Sequence, residues 1–381
     1  MIIKNNIVEY INTIKTEEFE PYYIYEEQTI IDHCQIFQNL TYKNKAIHFA
    51  SMANVNPKFL QIVRSEKVNI FVNSILHLNF ALKIGFKGQN IIFTSSAMTK
   101  KNMKYAESLD VQINLDSPNQ LKQWQTFFPE KAVGIRCNIG DNVIPYSNHA
   151  GSFIGKESRL GFTREEISQI EDKSKIKGLH LYAGTDIFDI DYLIDCYKEL
   201  VCIANDFTEL EYLNFGGGFG VSENGEKKFN FVEFDIKITE LMNLVSSQKN
   251  KSIKLILEPG RIIGGEAGYF VCCVTDVKAR DNKHFVGVNA STVQFSRPLL
   301  YADTAKHPVH IIRDGVLLES EKKNLTTIYG CSTYSRDIFS NNIALPELKI
   351  GDIIVFGNAG SYSASSHMQF LGFSKPEELF I

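Results

Sequence analysis

The stretch Ala50-Ser51-Met52-Ala53-Asn54-Val55-Asn56 follows the apolar run Ala46-Ile47-His48-Phe49. A short β-like run that stops abruptly at small and amide side chains reads as the carboxyl end of a parallel strand, where α/β barrels present their reactive groups. Position 52 is therefore a candidate site position, and the plain alternative is a methionine filling a gap in the core.

Outward from that stretch, short apolar runs recur at Asn69-Ile70-Phe71-Val72, Asn90-Ile91-Ile92-Phe93, Val111-Gln112-Ile113-Asn114, Val133-Gly134-Ile135-Arg136, Gly178-Leu179-His180-Leu181, Tyr212-Leu213-Asn214-Phe215 and Leu255-Ile256-Leu257. Helix-length amphipathic segments separate most of them. With the run at 46–50 they make eight strands, and strands alternating with helices predict a parallel sheet closed as an α/β (β/α)8 TIM barrel. Upstream, residues 1–20 carry apolar side chains at helical spacing, Pro21 opens a strand-like Tyr22-Tyr23-Ile24-Tyr25, and Glu26 to Leu40 reads as a helix. From about Gly264 the pattern changes to β-rich runs such as Gly268-Tyr269-Phe270-Val271, Val309-His310-Ile311-Ile312 and Asp352-Ile353-Ile354-Val355-Phe356, which predicts an antiparallel β-domain.

A chain of 381 residues exceeds one ordinary core, so a large barrel with an appended domain suits its length. A net charge of −4, a pI near 6.2 and the lack of any basic run interleaved with aromatics argue against a nucleic-acid partner. The seven cysteines are odd in number, scattered and without a CxxC pair, which predicts a reducing compartment and no zinc site. No run approaches the ~20 apolar residues of a membrane span, and the amino terminus lacks a long apolar segment, so the expectation is a cytoplasmic protein.

Two further stretches carry chemistry. Glycines in Gly216-Gly217-Gly218-Phe219-Gly220 follow a strand and let backbone N–H groups approach a phosphate, although a tight turn explains them equally well. Glu258 lies in Leu257-Glu258-Pro259-Gly260-Arg261 at the end of the eighth strand, where it either faces a ligand or pairs with Arg261.

These phrases, with Tyr22-Tyr23-Ile24-Tyr25, together resemble the fold type III (alanine racemase-like) pyridoxal-phosphate (PLP) decarboxylases of ornithine and diaminopimelate, over roughly residues 20–381. The resemblance implies an amino-terminal segment (1–25) joining the β-domain, a PLP-binding barrel (26–262) and a carboxy-terminal β-domain (263–381). It implies that position 52 should be a lysine binding the cofactor's aldehyde covalently; a thioether cannot form that Schiff base. Phosphate contacts are implied for Gly216, Gly217, Gly218 and Gly220, for Thr185 in Tyr182-Ala183-Gly184-Thr185, and for Tyr362 in Asn358-Ala359-Gly360-Ser361-Tyr362, where a core aromatic is the alternative. Glu258, with Gly260 and Arg261 in the same phrase, would face the pyridine nitrogen and keep the ring an electron sink. Tyr182 stands where ornithine decarboxylases stack a histidine on the ring, and Arg136 matches an arginine of the cofactor pocket.

In Gly330-Cys331-Ser332-Thr333-Tyr334-Ser335-Arg336-Asp337 the resemblance implies a cysteine that reprotonates the substrate Cα and an aspartate, Asp337, that meets a distal ammonium in a partner subunit's site. Ungapped, Thr333 takes the cysteine position; a loop two residues longer would give it to Cys331. Leu76-His77 and Ser96-Ala97-Met98 also depart from the family pattern. The ending Ser366-His367-Met368-Gln369-Phe370-Leu371-Gly372-Phe373 resembles siderophore and antibiotic-pathway members. The implied function is a homodimeric decarboxylase of an amino acid or a citryl- or carrier-linked diamino acid, impaired by Met52. A PLP-binding homologue without catalysis and a lysine-independent PLP enzyme of another reaction type are the alternatives.

Overall fold

The computed structural model describes residues 3–14, 20–144, 153–222, 227–281, 283–302, 304–319 and 321–381. The chain forms two compact units, one of Ile31–Gly220 and Lys228–Ile262, the other of Met1–Ile30, Val221–Lys227 and Ile263–Ile381.

Strand β1 (Tyr22–Tyr25) belongs to the second of these units. The next eight strands, β2 (Lys45–Ala50), β3 (Asn69–Val72), β4 (Ile91–Thr94), β5 (Gln112–Leu115), β6 (Val133–Arg136), β7 (Ile176–His180), β8 (Tyr212–Asn214) and β9 (Lys254–Leu257), close a barrel. Every neighbouring pair is parallel, and β2 seals the ring against β9 through Lys45↔Leu255, Ala46↔Ile256 and Ile47↔Leu257. The predicted (β/α)8 barrel is present, with strand ends shifted by a residue or two.

The amides of the opening stretch explain how β2 hands over to the next helix. Asn54 Oδ1 accepts from Asn56 N (2.8 Å), and Asn56 Oδ1 accepts from Lys58 N (2.9 Å) and Phe59 N (3.3 Å), capping the helix Pro57–Ser65. Proline at the first helical position has no N–H to leave unpaired.

Inside, the barrel is a packed core. The Tyr212 ring from β8 lies over Gly178 of β7 and Gly134 of β6, where any Cβ would fall inside it. Its hydroxyl donates to Asn114 Oδ1 on β5 (2.9 Å), and Asn114 Nδ2 donates to Thr94 Oγ1 on β4 (3.2 Å), so the buried polar groups satisfy one another.

The β-rich unit contains β10 (Gly268–Arg280), β11 (Lys283–Val288), β12 (Val309–Arg313), β13 (Val316–Leu317), β14 (Asn324–Tyr329), β15 (Ile338–Leu345), β16 (Ile353–Phe356) and β17 (Glu377–Phe380). The order is β13-β12-β16-β10-β11-β14-β15, mostly antiparallel, with parallel pairs β11·β14 and β1·β17. Strand β1 lies between β10 and β17 and is buried on both faces. Tyr22 and Ile24 pack with Ile3, Ile7 and Ile11 of the amino-terminal helical segment, while Tyr23 joins the aromatic cluster of Phe270, Phe295, Phe339 and Phe356. The period of two in β1 thus feeds two cores. Among the described residues no helix is long and apolar enough to cross a membrane, and no cluster of three or more His, Cys, Asp or Glu is placed to hold a metal.

Candidate active site

At the carboxyl ends of the barrel strands, backbone bonds tie the loops into one floor. Ala50 N donates to Pro259 O (3.0 Å), Glu258 N to Gly216 O (2.7 Å), Leu181 N to Asn214 O (2.8 Å) and Cys137 N to His180 O (2.7 Å). The loops after β2, β6, β7, β8 and β9, each carrying a candidate residue, are therefore held together by main chain rather than by side-chain chance.

Glu258 is the centre of the electrostatics. It is 6% exposed; Oε1 accepts from Asn214 Nδ2 (2.6 Å), and Oε2 lies 3.4 Å from His180 Nε2. Burial pushes its carboxyl up, but His180, Asn214 and His48 together outweigh burial and leave it below the usual carboxylate range. The carboxylate is thus ionised at neutral pH, as an acceptor for a protonated ring nitrogen must be. The ion pair with Arg261 weighed from the sequence does not form: Arg261 pairs with Asp186, the residue after Thr185.

The glycine turn is shaped by close approach. Gly216 and Gly218 have φ of +66° and +100°, and a Cβ at these residues or at Gly217 would strike the carbonyl oxygens of Leu181, Gly184 and Glu258 respectively. At Gly220 it would strike the Phe188 ring. Gly216 N donates to Asn214 Oδ1 (3.0 Å), whereas the amides of Gly217 and Gly218 meet no acceptor among the described residues. Two open amides on a turn without Cβ atoms match the needs of a phosphate.

Tyr182 is half-buried, edge-on to Phe153 with ring centroids 4.8 Å apart, and its ring edge lies against Gly216. Arg136 lies 3.6 Å from Asp116; burial lowers the pKa of its guanidinium, while Asp116, Glu258 and Tyr182 favour its charge. Thr185 is half-buried and Gly260 buried on the same strand-end loops. Met52 is half-buried in the turn after β2, and Ser51 beside it shares a hydrogen bond with His77 Nδ1 (3.0 Å).

In the β-rich unit, Tyr362 has φ +53°, a conformation that costs a bulky side chain on the order of 1–3 kcal/mol. Gly360 before it is required, because a Cβ there would collide with Gly264 O. Cys331 and Thr333 are both exposed on one loop; burial of part of the thiol and the nearby Asp337 raise the Cys331 pKa, keeping it protonated. Asp337, expected to meet a distal ammonium, is held within its own loop. It is 3% exposed, Oδ1 accepts from Thr292 N (2.6 Å) and Oγ1 (2.7 Å), and Oδ2 accepts from Ser332 N (3.2 Å) and Oγ. Both oxygens hold the loop's own turn, because a buried carboxylate needs donors within reach.

Sequence reasoning passed over His180, His48 and Asn214. Each sits within an otherwise apolar strand run, and an inward polar residue in such a run was the available signal.

The donor set fits a PLP ring and phosphate: an ionised carboxylate, open glycine amides, and a tyrosine ring over the turn. It supplies no amine at position 52. Comparison with known proteins gives the same assignment. The family described as "Pyridoxal-dependent decarboxylase, pyridoxal binding domain" matches residues 27–265. The diaminopimelate decarboxylase of Methanothermobacter thermautotrophicus is 27% identical over 378 residues, covering 95% of this chain and 86% of that protein. The 2-[(L-alanin-3-ylcarbamoyl)methyl]-2-hydroxybutanedioate decarboxylase of Staphylococcus aureus is 25% identical over 382 residues, 94% of each. Among solved structures, the diaminopimelate decarboxylase of Helicobacter pylori complexed with L-lysine superposes with a TM-score of 0.86 at 26% identity, over 99% of this chain and 94% of that one. With the family match spanning more than half of its length, this chain belongs to the fold type III pyridoxal-dependent decarboxylases, carboxy-lyases that use pyridoxal phosphate.

Proposed function

We propose that this protein binds PLP in the barrel and is built to decarboxylate a diamino acid linked through its side-chain amine to citrate or a carrier, in siderophore or related secondary metabolism. Met52, in place of the anchoring lysine, leaves it impaired. The observation that carries the reading is the buried, ionised Glu258 with Asn214 on one oxygen and His180 beside the other. Bound against it, PLP supplies an electron sink for the charge left on Cα when CO2 departs.

The chain's own residues have separable tasks. Gly217 and Gly218 offer their amides to the phosphate, with Thr185 and Arg261 as further contacts. Tyr182 covers a ring face, and Arg136 completes the charge balance around Glu258. Cys331 holds the proton for Cα; Thr333, a weaker acid, is its substitute. Met52 fills space at the end of β2 without supplying a nucleophile.

Two observations support a conjugated substrate. The Staphylococcus aureus relative is named for one, and Asp337, the acid that would face a free distal ammonium, is engaged by Thr292 and Ser332. Because Cys331 and Thr333 are exposed on a single chain, a cytoplasmic homodimer sharing its sites accompanies the proposal. A second reading, a PLP-binding homologue without turnover, is favoured by Met52 itself.

The test is PLP titration of the protein and of Met52→Lys, with borohydride trapping and CO2 release measured on free and citrate-conjugated diamino acids. The parent chain should bind PLP reversibly and release CO2 orders of magnitude more slowly than the lysine variant, which should trap cofactor covalently. Binding by both without CO2 from either would favour the second reading; no binding by either would overturn both.

A further inference from the structure

His180 ends β7 with its side chain 3% exposed, and neither of its ring nitrogens has a hydrogen-bond partner among the described residues. The strand registers explain what it faces. His180 aligns with Asn214 of β8, and Asn214 with Ile256 of β9, two residues before Glu258. One layer of the barrel mouth thus brings together an imidazole, an amide and a carboxylate, all buried.

The amide is already assigned two tasks: Asn214 Nδ2 donates to Glu258 Oε1 while its Oδ1 accepts from Gly216 N, linking the carboxylate to the glycine turn. Asn214 is neutral and engages one oxygen. The second oxygen, Oε2, has the His180 Nε2 at 3.4 Å. An isolated carboxylate in such a place would take up a proton rather than stay charged. An apolar side chain at position 180 would fill the same interior volume, so packing alone does not call for histidine.

We propose that His180 is a positioning residue for Glu258: it keeps the carboxylate ionised and fixed in orientation, and so determines how strongly the barrel holds a protonated pyridine ring. This deepens the proposed function and rests on it. His180 does not touch the phosphate end in this scheme, which separates its role from a general contribution to folding. A merely structural role would weaken every ligand of the pocket alike.

The experiment compares equilibrium binding of PLP with that of an analogue carrying C–H in place of the ring nitrogen, in the parent protein, His180→Leu, His180→Asn, His180→Gln and Glu258→Gln, with circular dichroism as the fold check. The parent should prefer PLP, and Glu258→Gln should abolish the preference. His180→Leu and the shorter His180→Asn should reduce the preference about tenfold or more while leaving analogue affinity unchanged, since each removes the polar group 3.4 Å from the buried carboxylate. His180→Gln, a donor of longer reach, should restore most of it. Preference retained in the folded Leu or Asn variant, or equal loss for both ligands, would overturn the positioning role. If the parent binds neither ligand, it is the PLP assignment that fails.

Discussion

At the residue scale, the buried His48 imidazole, whose charge Glu258 favours, makes acid stability a readout of the site. Burial pushes the His48 pKa down to about 4 from 6.5, with Glu258 opposing the shift. Between those values the unfolded chain takes a proton that the folded chain refuses, so stability falls as pH drops from 6.5 towards 4. From pH 7 to pH 5 the loss due to His48 is about 2 kcal/mol. His310, also held near 4 by burial, adds a similar slope in the β-rich unit. His48→Gln should therefore remove roughly half of the pH 7-to-5 shift in urea midpoint that these two histidines produce. An unchanged shift would mean that His48 is protonated in the native state.

At the element scale, the loop after β8 shows how one glycine run serves two demands. Its left-handed residues and its contacts with the carbonyls of Leu181, Gly184 and Glu258 are needed for the loop to lie on its neighbours at all, before any phosphate is considered. Gly216→Ala and Gly218→Ala should each cost roughly 1–3 kcal/mol from the backbone conformation alone. They should also lower PLP affinity, because the turn that orients the Gly217 and Gly218 amides must shift. Thermal denaturation and PLP titration of the two variants check this; wild-type affinity in either would remove the turn from the phosphate site. The tight-turn and phosphate readings left open by the sequence are therefore compatible, because the turn is what opens the amides. By contrast, the pairing of Arg261 was not legible. Sequence proximity suggested Glu258, while the fold brings Asp186 from the loop after β7.

At the scale of the whole molecule, the β-rich unit draws on both ends of the chain. Strand β1 pairs with β10 and β17 and buries both faces, so it stands inside its sheet. Deleting residues 1–26 should leave β17 without a strand partner and expose Phe270 and Val271, yielding aggregated or protease-sensitive protein. Limited proteolysis of the truncated chain checks this, and a resistant β-rich unit would show that β1 is dispensable. The eight barrel strands were readable because each is a short apolar run between helical segments, and periodicity is a local property. The site was readable where backbone chemistry marks it, as at Gly216–Gly220, or where a charged residue ends an apolar run, as at Glu258. The sequence by itself thus determined the barrel, the β-domain, the family and the absence of an amine at position 52, since each depends on residue type and order along the chain. Only the tertiary structure decided that His180, His48 and Asn214 gather on Glu258, that Arg261 turns to Asp186 and that Asp337 closes its own loop. Those pairings join residues from different strands and loops, and which donor reaches which carboxylate is determined by barrel register and burial.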